Sequence, residues 1–394
     1  MFPRLLAPHL IALAGQYPVV TVTGPRQSGK TTLLRETFPD RAYVNLEAPD
    51  TRAYAVEDPR GFLAQFPGGV ILDEIQRTPE LPSYLQEMVD ATPTPGGFLL
   101  TGSQQFEVMG RISQSLAGRT ALLKLLPLSL PELAAGGVDL SIDRNLLAGG
   151  YPRIHARNLD PTQALGDYFE TYVQRDLRQL MAIKDLALFE KFVRLCAGRV
   201  GQLLNLHTLA SDTGISHPTA RAWITLLEAS YIVFLLQPWH ANVSKRLIKS
   251  PKLYFHDVGL ACYLLGIENE THVSRHPLRG ALFENLALSE ALKHRLNRAR
   301  HPNMRFYRDA GGLEVDLLLE SGGTAAAVEI KAGATVAADM LGGLKRLETL
   351  WPQPLIDKIL VYGGTGAAIR SGVRIVPLKG FAGALAELEA GSES

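Results

Sequence analysis

Tyr17-Pro18-Val19-Val20-Thr21-Val22-Thr23, followed by Gly24-Pro25-Arg26-Gln27-Ser28-Gly29-Lys30-Thr31 and then Thr32-Leu33-Leu34, is the stretch that decides the fold. The first run is β-branched and apolar, the mark of a strand buried on both faces. The second puts two glycines where a backbone must turn tightly around anionic oxygens. It adds a Lys to reach outer phosphates and a hydroxyl to hold Mg²⁺. The third begins the apolar face of a helix whose N-terminal dipole points at the same anion. Strand, loop and helix in that order predict a site for a nucleoside triphosphate, ATP with Mg²⁺. Gly24, Pro25, Arg26, Gln27, Ser28, Gly29, Lys30, Thr31 and Thr32 would bind it, with Thr31 as a metal ligand.

Working outward, Val70-Ile71-Leu72-Asp73-Glu74 is an apolar strand that ends in two acids. Asp73 is expected to hold Mg²⁺ through water and Glu74 to polarise the attacking water. Phe98-Leu99-Leu100-Thr101-Gly102-Ser103 is a second strand, ending in small polar residues. Ala42 to Leu46 and Thr120 to Leu126 complete a set of short apolar runs separated by helical or loop segments. Strands alternating with helices predict an α/β domain with a mainly parallel sheet covered on both faces.

The rest of the composition narrows the class. A chain of 394 residues exceeds the usual length of one domain. Its net charge of +1 announces neither nucleic acid nor membrane, so any such partner must meet a local patch. Cys196 and Cys262 lie in apolar stretches without metal-ligand spacing, which argues against a disulfide framework or a zinc site. The N-terminus lacks the pattern of a signal peptide and no apolar run is long enough to span a bilayer, so a soluble cytoplasmic protein without a membrane partner is expected.

Beyond Ser129 the pattern changes. Residues 161–197 look helical throughout. Leu206 to Thr213, Gly214, and then Ser216 capping a helix with Pro218 in its first turn have helix-turn-helix grammar. Arg221 lies on that second helix. Tyr231 to Gln237 and Leu253 to Phe255 read as two strands. The basic run Ser244-Lys245-Arg246-Leu247-Ile248-Lys249-Ser250-Pro251-Lys252 joins them. A basic wing of this kind suits phosphate contacts, so Lys245, Arg246, Lys249, Lys252 and Arg221 are candidates for DNA binding. A winged helix used only for protein contact or structure is the alternative.

From residue 278 to 380 the chain reads as helix, three strands, helix and two more strands. Glu284 lies on the first helix, Asp316 in Leu313-Glu314-Val315-Asp316-Leu317, and Glu329 and Lys331 in Val328-Glu329-Ile330-Lys331. Strand alternation puts Glu329 and Lys331 on one face, where Asp316 can meet them. Asp316 and Glu329 would hold Mg²⁺, with Lys331 and Glu284 beside them. This set resembles the PD-(D/E)xK nuclease core, with Val315 where that motif's name has Pro. A nuclease fold retained for binding alone is the competing reading.

The chain as a whole resembles the AAA+-type bacterial and archaeal ATPases that carry a C-terminal DUF4143 domain. The resemblance rests on Gly24 to Thr31, Leu72-Asp73-Glu74-Ile75-Gln76, Leu100-Thr101-Gly102-Ser103, Leu116-Ala117-Gly118-Arg119, Pro127-Leu128-Ser129, Gly149-Gly150-Tyr151-Pro152, Tyr172-Val173-Gln174-Arg175-Asp176 and Ser250-Pro251-Lys252-Leu253-Tyr254-Phe255. It implies ATPase activity and an AAA+ P-loop core with a helical lid, winged helix and nuclease-like domain, divided at 1–135, 136–197, 198–260 and 261–394. It implies that Ser103 or Thr101 senses the γ-phosphate or the water, unless it merely caps a helix. It also implies that Arg119, or else Arg111, serves as an arginine finger in a neighbouring subunit's site, which requires a homo-oligomer, expected as a ring, unless the residue is an ordinary surface Arg. The expected function is an ATPase that remodels or moves on DNA, branched or forked DNA included. An ATP-gated nuclease and a nucleotide-switched protein scaffold are its rivals.

Overall fold

The computed structural model describes residues 2–103, 115–174, 185–239, 250–321, 324–351 and 355–391. The chain folds as two compact units. The first holds residues 1–128 with the short segments 229–231 and 295–300. Its sheet consists of β1 (Val19–Thr23), β2 (Ala42–Asn45), β3 (Val70–Asp73), β4 (Phe98–Gly102) and β5 (Thr120–Lys124) in the order β2-β3-β4-β1-β5. All four pairings are parallel, as strands separated by helices require.

Alternate residues of these strands feed two cores. Val19, Val70, Leu72 and Leu100 pack on one face with Phe62, Leu63 and Leu85. Val20, Val22, Ile71 and Leu99 pack on the other with Leu6, Leu10, Leu33 and Leu34. Leu6 precedes α1 (Ala7–Ala14), which carries Leu10, and Leu33 and Leu34 lie on α2 (Lys30–Thr37). β1 is buried at all five positions, which is why it reads as a continuous apolar and β-branched run.

The second unit begins at Ser129, which caps the helix Leu130–Ala135 in a reciprocal box with Glu132. Helices Ile142–Ala148, Pro152–Ala156 and Pro161–Tyr168 follow, and a π-helical turn spans Phe169–Gln174. The stretch 161–197 is not one helix. Asp185 stands at φ −110° and ψ 99°, accepts a bond from Leu188 N, and starts the new helix Leu186–Ala197. Leu206–Thr213 and His217–Ala229 form the expected helix pair, with Gly214 at φ 90° between them and Ser216 Oγ accepting from Thr219 N at 3.2 Å.

The C-terminal sheet has eight strands: β6 (Val233–Pro238), β7 (Lys252–Phe255), β8 (Met304–Arg308), β9 (Glu314–Ser321), β10 (Thr324–Lys331), β11 (Asp357–Tyr362), β12 (Ala368–Arg370) and β13 (Val373–Pro377). Their order is β12-β13-β11-β10-β9-β8-β6-β7. β6 and β7 pair antiparallel. β6 then continues the sheet through a parallel contact of Gln237 and Pro238 with Arg305 and Phe306, so the sheet crosses the boundary expected near residue 260. The short strand β12 escapes the sequence reading because all three of its residues are exposed and leave no apolar pattern. No helix among the described residues is long and apolar enough to cross a membrane.

Candidate active site

Gly24 follows β1 at φ 151°, and the loop closes at Gly29, φ 93°, which precedes the first residue of α2. A Cβ on Gly24 would stand 2.1 Å from the Leu125 carbonyl oxygen, so only glycine fits between the loop and the residue after β5. Lys30 is the first residue of α2 and is buried. Its Nζ donates to the carbonyl oxygens of Gly24 at 2.9 Å and Pro25 at 2.8 Å, so the ammonium is folded back under the loop. Burial lowers its pKa to about 8, although Glu74 and Asp73 pull the other way. Ser28 Oγ is buried with no hydrogen-bond partner among the described residues, a polar atom the loop itself does not satisfy. Gln27 adopts φ 61°, rare for a residue with a side chain.

The acids at the end of β3 are held separately. Asp73 is 6% exposed, and both its carboxylate oxygens lie 3.0 Å from Thr31 Oγ1. Tyr43 on the edge strand β2 donates its hydroxyl to Asp73 Oδ2 at 2.9 Å, and Thr101 on β4 donates to Oδ1. Burial and the bond to Asp73 push the Tyr43 phenol up to about 12. Glu74 turns off the strand at φ 59°. Its backbone N–H donates to Thr101 Oγ1 at 3.1 Å, and its Oε2 accepts from Ser103 Oγ at 2.9 Å and from Gln76 Nε2. Gln76 Nε2 also reaches Ser103 Oγ at 3.1 Å.

Thr31 and Asp73 thus offer the hard oxygen donors that Mg²⁺ takes, and the loop offers turned backbone and a cation for phosphates. The residues present fit ATP with Mg²⁺. Thr32 is exposed and shares with Thr31, Arg35, Arg41 and Tyr43 the wall of a cleft of about 470 Å³. Arg26 faces Glu47 at 3.8 Å. Three participants lie outside the residues expected to act. Arg4 donates to the carbonyl oxygens of Ser28 and Leu126, each at 2.7 Å, and so ties the loop to the sheet. Tyr43 and Gln76 fix the two acids.

Arg119 stands immediately before β5. Its carbonyl accepts from Val19 N at 3.3 Å, while Gly24 follows the far end of β1. Five residues at roughly 3.3 Å each put about 16 Å between Arg119 and its own loop, beyond the reach of an arginine side chain. Its guanidinium pairs with Asp90, Nη2 to Oδ2 at 2.8 Å, and bonds the Ala117 carbonyl at 3.0 Å. Arg111 lies outside the described residues.

In the second unit Asp316, Glu329, Lys331 and Glu284 do come together. Ile330 N donates to Asp316 Oδ2 at 2.8 Å, and Lys331 Nζ lies 2.5 Å from Glu329 Oε1 and 3.9 Å from Asp316 Oδ2. Burial and the neighbouring Asp316 carboxylate push Glu329 up to about 8. Lys252 corrects an expectation: it is 2% exposed, too deep to touch nucleic acid. It begins β7, whose four residues are all buried, and pairing rather than composition decides its place. Its Nζ contacts Glu284 at 3.1 Å and Glu314 at 2.5 Å. Burial works against its charge, yet Glu284, Asp316 and Glu314 hold the ammonium above its ordinary range. Among the described residues no group of three or more His, Cys, Asp or Glu side chains could hold a metal ion as the side chains stand. Arg221 is exposed on the helix His217–Ala229. Lys245, Arg246 and Lys249 lie outside the described residues.

Residues 16–134 match an AAA domain, residues 279–381 match the domain of unknown function DUF4143, and residues 139–271 match another, DUF8612. The DUF4143 match is therefore confined to residues 279–381, and the helical part before it carries its own. An uncharacterized protein of Mycobacterium tuberculosis is 34% identical over 322 residues, covering 81% of this chain and 71% of that protein. An uncharacterized protein of Mycobacterium bovis matches to the same extent. Among solved structures, the Walker-type ATPase of Pyrococcus abyssi is similar with a TM-score of 0.44 and 17% identity, over 67% of this chain and 96% of that one. The chain belongs to the P-loop ATPases that join an AAA domain to a DUF4143 domain.

Proposed function

We propose that this chain hydrolyses ATP with Mg²⁺ as a homo-oligomer arranged in a ring, and that hydrolysis drives remodelling of or movement on DNA, branched or forked DNA included. The observation that carries the reading is the separate fixing of two neighbouring acids. Asp73 faces the Thr31 hydroxyl and Glu74 faces Ser103 and Gln76. On this reading the first acid supports a metal and the second a water.

Mg²⁺ supplies neutralisation of the charge on the phosphate oxygens when bound. The chain's own residues do the rest. Lys30 exchanges the Gly24 and Pro25 carbonyls for outer phosphate oxygens, and the loop N–H groups hold the inner ones. Thr31, whose hydroxyl faces Asp73, would hold the metal together with it. Glu74 orients the attacking water and takes its proton, while Ser103 and Gln76 keep the carboxylate aimed. Arg119, out of reach of its own loop, stabilises transition-state charge in a neighbour's site.

The DNA reading rests on Arg221, exposed on the second helix of the helix-turn-helix pair, and on the basic run Lys245, Arg246 and Lys249 between β6 and β7. These cations suit phosphate contacts. Phosphate release by the wild-type chain and by Lys30→Ala, each with single-stranded, duplex, forked and four-way DNA, tests both halves. Hydrolysis is expected to vanish in Lys30→Ala and to rise in the wild type with one DNA structure. Undiminished turnover in Lys30→Ala would sink the ATPase assignment. DNA binding that ignores replacement of Lys245, Arg246 and Lys249 would favour the protein scaffold instead.

A further inference from the structure

The acid cluster of the eight-stranded sheet already has its cations. Oxygen donors such as Glu284, Asp316 and Glu329 are what a hard divalent ion selects. A position between Glu284 and Asp316 is taken by Lys252, whose Nζ lies 3.1 Å from Glu284 Oε1 and 3.9 Å from Asp316 Oδ1. A position between Asp316 and Glu329 is taken by Lys331, 3.9 Å from one and 2.5 Å from the other. The second oxygen of Asp316 also accepts from the Ile330 backbone.

Lys252 is the unusual member. It comes from β7 at the sheet's end, and its side chain is 3% exposed. An ammonium has three N–H donors. Three carboxylates surround this one, Glu314 being the nearest at 2.5 Å. The ammonium also lies over the Phe306 ring, 5.5 Å from its centroid. Tyr254, two residues on, donates its hydroxyl to the same Glu284 oxygen that Lys252 contacts. Four carboxylates, Glu284, Glu314, Asp316 and Glu329, thus face Lys252, Lys331 and Arg308. A divalent ion entering beside Lys252 would meet a buried like charge.

We propose that Lys252 is the resident cation of this cluster, standing where a divalent ion would have to bind, so that the C-terminal domain neither holds Mg²⁺ or Mn²⁺ nor cleaves phosphodiesters. Removing the ammonium uncovers a latent metal site. The inference is independent of the ATPase reading, and its test contains no nucleotide.

Titration of the full chain with Mn²⁺, followed by electron paramagnetic resonance, counts bound ions. The wild type is expected to show no Mn²⁺ binding that depends on Asp316, so Asp316→Asn changes nothing. Lys252→Gln is expected to gain one ion per chain, bound at least tenfold more tightly than any Mn²⁺ on the wild type. Lys252→Gln combined with Asp316→Asn loses it again. A wild-type ion lost in Asp316→Asn overturns the proposal, as does wild-type DNA cleavage that Asp316→Asn abolishes. A folded Lys252→Gln that gains no ion also overturns it. If Lys252→Gln folds only when Mn²⁺ is added, seen by circular dichroism, the ion has replaced the ammonium and the proposal stands. Failure of Mn²⁺ to restore that fold counts against it.

Discussion

Ser103 donates its hydroxyl to Glu74 Oε2 at 2.9 Å, joining the ends of two adjacent parallel strands. Glu74 sits at φ 59°, a conformation that costs a residue with a side chain about 1–3 kcal/mol. Its backbone N–H is held by Thr101 and its carboxylate by Ser103 and Gln76, so the turn is overdetermined. The carboxylate is aimed by the sheet and not by chance rotation. Glu74→Gln keeps the shape and loses the base. It is expected to bind ATP as the wild type does while turnover falls on the order of 100-fold or more. Equilibrium binding and phosphate release on the same preparation check this, and near-wild-type turnover removes Glu74 from the mechanism. Ser103→Ala should lower kcat on the order of tenfold with little change in KM, because it frees the carboxylate without removing it.

Arg119 is about a strand length from its own loop, so any catalytic part it plays needs a second copy. Arg119→Ala and Lys30→Ala should each be inactive alone. Mixed, they should regain part of the wild-type rate, since intact loops then meet intact arginines. No recovery on mixing would leave Arg119 as the exposed partner of Asp90 and nothing more. Asp90→Ala is the control, because an exposed pair of this kind contributes little to stability.

The parts legible in the sequence are those whose chemistry is local. A loop that must wrap phosphate needs Gly24, Gly29, Lys30 and Thr31 within eight residues, and strands buried on both faces must be apolar throughout. Arg4 was not legible, because its value lies in carbonyl oxygens 24 and 122 residues away. Tyr43 looks like any edge-strand aromatic until β2 is known to pair with β3. Lys252 misleads for the same reason. It closes a basic run, and only the pairing of β7 at the end of the C-terminal sheet turns it inward onto Glu284.

Gly24 allows a test of the loop that leaves its charges alone. A Cβ there would overlap the Leu125 backbone oxygen, and backbone cannot swing aside as a long side chain can. Gly24→Ala should therefore displace the loop or the end of β5, at about 1–3 kcal/mol as for other overpacking. ATP affinity, followed with a fluorescent analogue, is expected to fall roughly tenfold or more, with circular dichroism unchanged. Unaltered affinity would mean that the loop closes on nucleotide in some other conformation.

The Gly149-Gly150-Tyr151-Pro152 motif has a structural reading centred on Asp257. This buried carboxylate accepts from Gly150 N at 2.7 Å and from Leu260 N at 3.1 Å, so it holds a turn and caps the helix Val258–Leu264 together. Gly149 adopts φ 62°, and a Cβ on it would stand 2.1 Å from Asp257 Oδ1. Asp257→Ala strands two N–H donors in the interior, at roughly 1–3 kcal/mol for each. Asp257→Asn keeps one acceptor and should cost less. Burial raises the Asp257 pKa above the ordinary carboxylate range, with the two N–H bonds opposing in part. The folded chain therefore holds this proton to higher pH than the unfolded chain does. Its contribution to stability falls as pH rises from the unfolded pKa to the folded one, and is level above that. Denaturation midpoints of the wild type and Asp257→Asn measured from pH 4 to 8 should differ in slope by this one group. Parallel curves would show that Asp257 is ionised alike in both states and that its role is hydrogen bonding alone.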